Sequence, residues 1–175
     1  MADIRPTPDE LYEEATASYG TALDRLARAY EADPDKRRDL LQEIHLALWQ
    51  SFEHFEGRCS LRTWVYRVAH NTATSVVIRR KARAPTFVGL DEVDTSLQED
   101  GHQSLDERQT LERLWTLIQR LKPHDKQVIL LYLEGIDAAS IGAITGFSPS
   151  NIATKIHRIK NLLSRQFHQG ARRAE

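Results

Sequence analysis

Apolar residues recur along this chain at intervals of three and four, a spacing that predicts helices. "TPDE" at 7–10 has the form of a capping box with proline at the first helical position, and Tyr12, Ala15, Tyr19, Leu23, Leu26 and Tyr30 continue one apolar stripe to a stop near "ADPD". Leu41, Ile44, Leu48 and Phe52 form a second stripe, interrupted by Gly57. Ser60 then caps a third helix with Leu61, Trp64, Val65, Val68 and Thr72 inward. "SLDE" at 104–107 is another capping box, set before Leu111, Leu114, Trp115 and Ile118, and Pro123 ends that helix. A further helix is expected from Val128 to Glu134, closed by Gly135. No alternating strand pattern, repeat or low-complexity tract breaks the series. The expected fold is all-α.

The last helices have a more specific form. Asp137 can cap a short helix carrying Ile141 and Ile144 inward, with Ile136 placed to staple against Ile141. "TGF" then links it to a helix with Ser148 at the cap and Pro149 at the first position. On that last helix Ile152, Ile156, Ile159 and Leu163 share one face, and Asn151, Thr154, Lys155, Arg158 and Arg165 share another. Two short helices around a glycine-containing turn read as a helix-turn-helix, whose second helix enters the major groove of DNA. The competing reading is an ordinary helical hairpin with a solvated cationic face.

Charge sharpens the picture. The 175 residues carry a formal net charge of only -1, yet the charges are segregated. From Gly57 to Leu90 the charged residues are Arg58, Arg62, Arg67, Arg79, Arg80, Lys81 and Arg83, with no acid. From Pro85 to Leu105 they are Asp91, Glu92, Asp94, Glu99 and Asp100, with no base, which reads as a solvated, self-repelling linker. Lys155, Arg158, Lys160, Arg165, Arg172 and Arg173 form a second cationic block. Two basic surfaces on a flexible acidic hinge imply two contacts on one polyanion; the plainer alternative is that acids elsewhere in the fold balance the bases.

Composition, 41% hydrophobic and 28% charged, is that of a globular protein. No apolar run approaches the length that spans a membrane. The acidic start "MADIRPTPDELYEE" also lacks the basic and apolar regions of a signal peptide, so a cytoplasmic location without membrane insertion is expected. The single cysteine, Cys59, excludes an intrachain disulfide and, with only His54 nearby, falls short of a metal site. No glycine-rich phosphate loop or nucleophile-base arrangement is present, so neither catalysis nor a cofactor or metal is expected.

"DLLQEIHLALWQSFEHFEG" followed by "SLRTWVYRVAHNTA" resembles region 2 of bacterial sigma factors. "LKPHDKQVILLYLEGIDAASIGAITGFSPSNIATKIHRIKNLL" resembles their region 4. The similarity is to the extracytoplasmic-function (ECF) group, which keeps only these two domains, and it runs from about Leu23 to Phe167. It implies a subunit that binds RNA polymerase core enzyme and directs it to promoters, with residues 1–84 as region 2, 85–105 as linker and 106–175 as region 4. It also implies that Asp39, Leu40, Gln42 and Glu43 face the polymerase clamp. Arg58, Arg62, Tyr66, Arg67, His70 and Asn71 would meet the melted non-template strand of the minus-10 element, with Glu53 to Arg58 cradling a flipped base. Such chemistry suits the residues, since stacking and cations hold single strands. Trp64 belongs to the apolar stripe and is assigned to the core.

In region 4 the resemblance assigns Ser150, Asn151, Thr154, Lys155 and Arg158 to the minus-35 duplex. An anti-sigma factor is a further partner implied by the family's habits, and the acidic linker is either a mimic occupying the polymerase's RNA path or a tether. The sequence departs from the family pattern at His45, where an aromatic residue is usual, and at Ser75, Ile78 and Ser140, where Asp, Arg and Glu are usual. Asn151 replaces a common Thr and Lys155 a common Arg. A helix-turn-helix regulator acting without polymerase would explain residues 136 to 163 but has no need of "SLRTWVYRVAHN".

Overall fold

The computed structural model describes residues 6–83 and 103–172, and these form seven α-helices and one short 3-10 turn with no strand among the described residues. The acidic linker and the side chains of "SLDE" lie outside the described residues. Helix α1 spans Pro8–Tyr30, α2 Pro34–Ser51 and α3 Leu61–Arg83, with the 3-10 turn Phe52–His54 between the last two. Helices α4 Gln103–Gln119, α5 Pro123–Leu133, α6 Ala138–Thr145 and α7 Pro149–Arg172 make the second group.

Local chemistry sets the helix starts. The Thr7 hydroxyl accepts from the Glu10 amide at 3.3 Å while Glu10 accepts from the Thr7 amide at 2.7 Å, closing the capping box. Asp33 caps α2 by accepting from the Asp35 and Lys36 amides, and Asp137 caps α6 through Ala139 and Ser140. Those bonds hold both carboxyls below their usual range, the Lys36 amide contributing most at Asp33 and the Ser140 hydroxyl at Asp137.

Packing departs from the expected stripes in three places. On α2 the buried seam is Leu40, Ile44 and Leu48, each 0% exposed, while Leu41 lies at the flank. On α3 the buried residues are Val65, Tyr66, Ala69, His70, Ala73, Thr74 and Val76, and Leu61, Trp64 and Val68 are only partly covered. The cause is that α3 packs against α1 and α2 on one side and against α5 and α6 on the other, so its buried arc is wider than one stripe. Third, α5 starts at Pro123, five residues ahead of the expected Val128, so this proline begins a helix as well as ending the one before.

The polar first turn of α5 is buried because each charge finds a partner. Lys126 donates to the Gln119 carbonyl at 3.0 Å with its ammonium 5.1 Å from the Tyr30 ring centre, and Asp125 meets two cations of α7. Each fully buried Leu or Ile of this core contributes about 2 kcal/mol.

The helix-turn-helix is tightly built. Gly146 ends α6 at φ 80°, a left-handed conformation that glycine adopts without strain. A Cβ on Gly142 would lie 2.7 Å from the Phe147 carbonyl oxygen, so the turn closes directly on the α6 backbone.

Candidate nucleic-acid interface

Helix α7 divides as its periodicity predicts: Ile152, Ile159 and Leu163 are buried, Ile156 is partly so, and Ser150, Asn151 and Thr154 are exposed together at the amino-terminal end. Ser148 accepts from the Asn151 amide at 3.3 Å, and the Thr154 hydroxyl donates to the Ser150 carbonyl at 3.1 Å. The first turn holds no acid, so the positive end of the helix dipole is unopposed within α7. Lys155 and Arg158 are less free. Asp125 accepts from Lys155 at 3.4 Å and from Arg158 at 2.6 Å, and the Lys155 ammonium also stands 4.8 Å from the centre of the Phe147 ring. Arg158 nevertheless keeps 62% of its side chain exposed.

The α3 residues assigned to a melted strand do not share one open surface. Asn71 is exposed, and Arg58, in the loop after the 3-10 turn, is exposed and pairs with Glu56 at 2.6 Å. Tyr66 and His70 are buried, at 2% and 1% exposure, against the expectation that they line a strand. Helices α5 and α6 account for part of this cover. The Tyr66 hydroxyl donates to the Glu134 carboxylate at 3.2 Å, Arg62 donates to the Glu134 carbonyl, and Arg67 donates to the Ala143 carbonyl at 3.1 Å. Burial, and then the Glu134 charge, push the Tyr66 phenol up to about 12.

His70 turns inward to the Tyr30 hydroxyl at 3.3 Å, and burial pushes its imidazole down to about 3. Trp64 donates to the Ser51 hydroxyl at 2.9 Å and packs edge-on against Phe55.

On α2, Asp39, Gln42 and Glu43 are exposed, and Leu40 is not: it is fully buried in the core. Glu43 lies 3.6 Å from Arg79. Leu46 and Trp49, 56% and 45% exposed, follow Gln42 and Glu43 at helical spacing and extend that face with apolar area. Sequence reasoning missed both, although they stand off the core stripe and that offset was visible. The basic run also proves partly balanced, since Arg79 and Arg80 pair with Glu43 and Glu31. Among the described residues no group of three or more His, Cys, Asp or Glu is placed to hold a metal ion, and no helix is long and apolar enough to cross a membrane.

The family model for sigma-70 region 2 matches residues 16–84, and that for sigma-70 region 4 matches residues 111–163. The chain is 34% identical over 122 residues to the ECF RNA polymerase sigma factor SigG of Mycobacterium tuberculosis. It belongs to the ECF group of the sigma-70 family. This ECF sigma factor aligns over 69% of its own length but only 31% of SigG, so it spans about a third of that relative. With the ECF sigma factor SigX of Bacillus subtilis it shares 24% identity over 72% of this chain and 68% of SigX. The sigma factor RpoE, solved in complex with the anti-sigma factor NepR from Bartonella quintana, shares the fold. The TM-score is 0.68 at 19% identity, covering 90% of this chain and 96% of RpoE.

Proposed function

We propose that this ECF sigma factor binds RNA polymerase core enzyme in the cytoplasm, directs it to a defined set of promoters and performs no catalysis of its own. The observation that carries the reading is the pairing, in order, of a region 2 match with a helix-turn-helix whose second helix presents Ser150, Asn151 and Thr154 beside Lys155 and Arg158. Residues 1–84 would serve as the core-binding and minus-10 domain, 106–175 as the minus-35 domain and 85–105 as the tether. The exposed α2 face of Asp39, Gln42 and Glu43, extended by Leu46 and Trp49, fits the clamp contact: apolar area edged by polar and charged side chains.

Ser150, Asn151 and Thr154 suit base edges in the major groove, and Lys155 and Arg158 suit phosphates or a purine edge. Arg58, Arg62, Arg67 and Asn71 supply the strand contacts, and Tyr66 joins them once uncovered. His70, facing the Tyr30 hydroxyl inside the first helical group, instead supports α3 from behind. An anti-sigma factor is a further proposed partner, by similarity to the RpoE–NepR complex.

Run-off transcription with purified core enzyme on genomic fragments tests the reading. Promoter-specific transcripts that need both core and this chain are expected. Duplex binding by the chain alone, with no stimulation of core, would instead establish a regulator that acts without polymerase.

A further inference from the structure

Gln42, His45, Leu46 and Trp49 recur at steps of three and four residues and share one face of α2. The start of α1 runs antiparallel beside that face and bonds to it twice. Trp49 donates from Nε1 to Asp9 Oδ1 at 3.0 Å. One turn further along both helices, the Tyr12 hydroxyl lies 3.0 Å from His45 Nδ1, with the two rings edge-on. Neither link belongs to the core: Asp9 and Trp49 are exposed, and Tyr12 and His45 are only partly covered.

Packing of α1 on α2 is explained without the Asp9 bond, since Leu11 and Ala15 of α1 are buried, as are Leu40, Ile44 and Leu48 of α2. A hydrogen bond between two groups that water serves equally well adds little to folding. What this bond does change is the freedom of the indole. Trp49 is 45% exposed, beside Leu46 at 56%, and a large side chain on an open helix surface samples several rotamers unless a neighbour holds it. Asp9 satisfies the one polar atom of the ring and fixes its direction, which leaves the apolar area of the indole for a partner. Tryptophan is among the side chains that anchor protein interfaces, and ordering such an anchor in advance removes a cost that binding would otherwise carry.

We infer that Asp9 is a positioning residue for the polymerase contact: from α1 it holds the Trp49 indole in the orientation that α2 presents to core enzyme. The inference rests on the proposed clamp role of the α2 face, and it extends that site to a second helix. It also gives Asp9 a task apart from the dipole of α1, which Glu10 already serves through the capping box.

The test is a double-mutant cycle on the full chain, with affinity for immobilised core enzyme measured by surface plasmon resonance. Asp9→Ala should weaken core binding roughly threefold to tenfold, the loss expected when one large side chain must be ordered on binding. Asp9→Asn, which keeps the acceptor oxygen and drops the charge, should bind core as the unaltered chain does. Phenylalanine cannot donate to Asp9, so adding Asp9→Ala to Trp49→Phe should bring no further loss. In the free chain labelled with 5-fluorotryptophan, the fluorine resonance that disappears in Trp49→Phe should shift in Asp9→Ala and return in Asp9→Asn, while the melting temperature moves little.

Unchanged core affinity in Asp9→Ala would overturn the inference. So would an equal loss in the Trp49→Phe background, which would make Asp9 a direct contact or a residue of the helix start alone. Failure of the underlying reading looks different: the unaltered chain would neither bind nor stimulate core, or Trp49→Ala would bind core at full strength, and either result overturns the inference together with that reading.

Discussion

Acidification should loosen this fold through a single side chain, His70. The ring is 1% exposed on α3, edge-on to Tyr30 with ring centres 6.0 Å apart and beside Tyr66 at 6.4 Å. Lys126 of α5 lies over the ring of its partner Tyr30, and Arg25 and Glu134 line the same cleft as His70. Burial holds the folded imidazole at about 3, against 6.5 for an unperturbed histidine. Between those values the unfolded chain binds a proton that the folded chain does not, so stability rises with pH across the window and falls as acid is added.

At about 1.4 kcal/mol per unit, acidifying from neutrality to about pH 5 costs roughly 2 kcal/mol at this site. Asp33 and Asp137, whose carboxyls are also lowered, act in the same direction but only near and below 3.8, more acid than the two pH values compared. Urea unfolding at the two pH values, for the natural chain and for His70→Gln, isolates this contribution, because every other ionisable group is common to both proteins. The variant should lose about 2 kcal/mol less on acidification. An equal loss in both proteins would refute the reasoning.

Four further outcomes are expected. Glu43→Arg should weaken binding to core enzyme, measured by fluorescence anisotropy, while shifting stability by under about 0.5 kcal/mol, since the residue is exposed and its 3.6 Å pairing with Arg79 is a surface one. In holoenzyme, Arg158→Ala should weaken all minus-35 variants alike and flatten the salt dependence by about one unit. Asn151→Ala should cost about 1–3 kcal/mol at one base position and relax specificity there, and a panel of single-base promoter variants separates the two patterns. Gly142→Ala should destabilise by about 1–3 kcal/mol, read by thermal melting, because its Cβ would meet the Phe147 carbonyl oxygen at 2.7 Å and backbone gives way reluctantly; an unchanged midpoint would contradict the geometry.

What could be read directly from the chain was what depends on near neighbours. The caps at Thr7 and Asp137, the Gly146 turn and the two faces of α7 are set by residues within a few positions, and they stand as their spacing implies. Burial on α3 was not legible, because Tyr66 and His70 are covered partly by helices some sixty residues further along, and an isolated stripe gives no sign of a second neighbour. The start of α5 was hidden for a related reason: Asp125 and Lys126 look solvated until Lys155, Arg158 and the Tyr30 ring are in place. On α2 the error was one position, Leu41 for Leu40, and an α-helix turns 100° over that step, enough to exchange core for flank.

Asp125 gives the proposed reading helix a particular bias among binding sites. Arg158 and Lys155 already hold a carboxylate, so any phosphate they meet arrives by exchange, with Asp125 released to water or left facing the DNA charge. A random stretch of genome, offering phosphates alone, gains little from that exchange. A matching site that also engages Asn151 and Thr154 gains the base contacts in full. The buried acid therefore subtracts from indiscriminate adhesion more than from recognition, and along a chromosome crowded with decoys the ratio between the two governs occupancy.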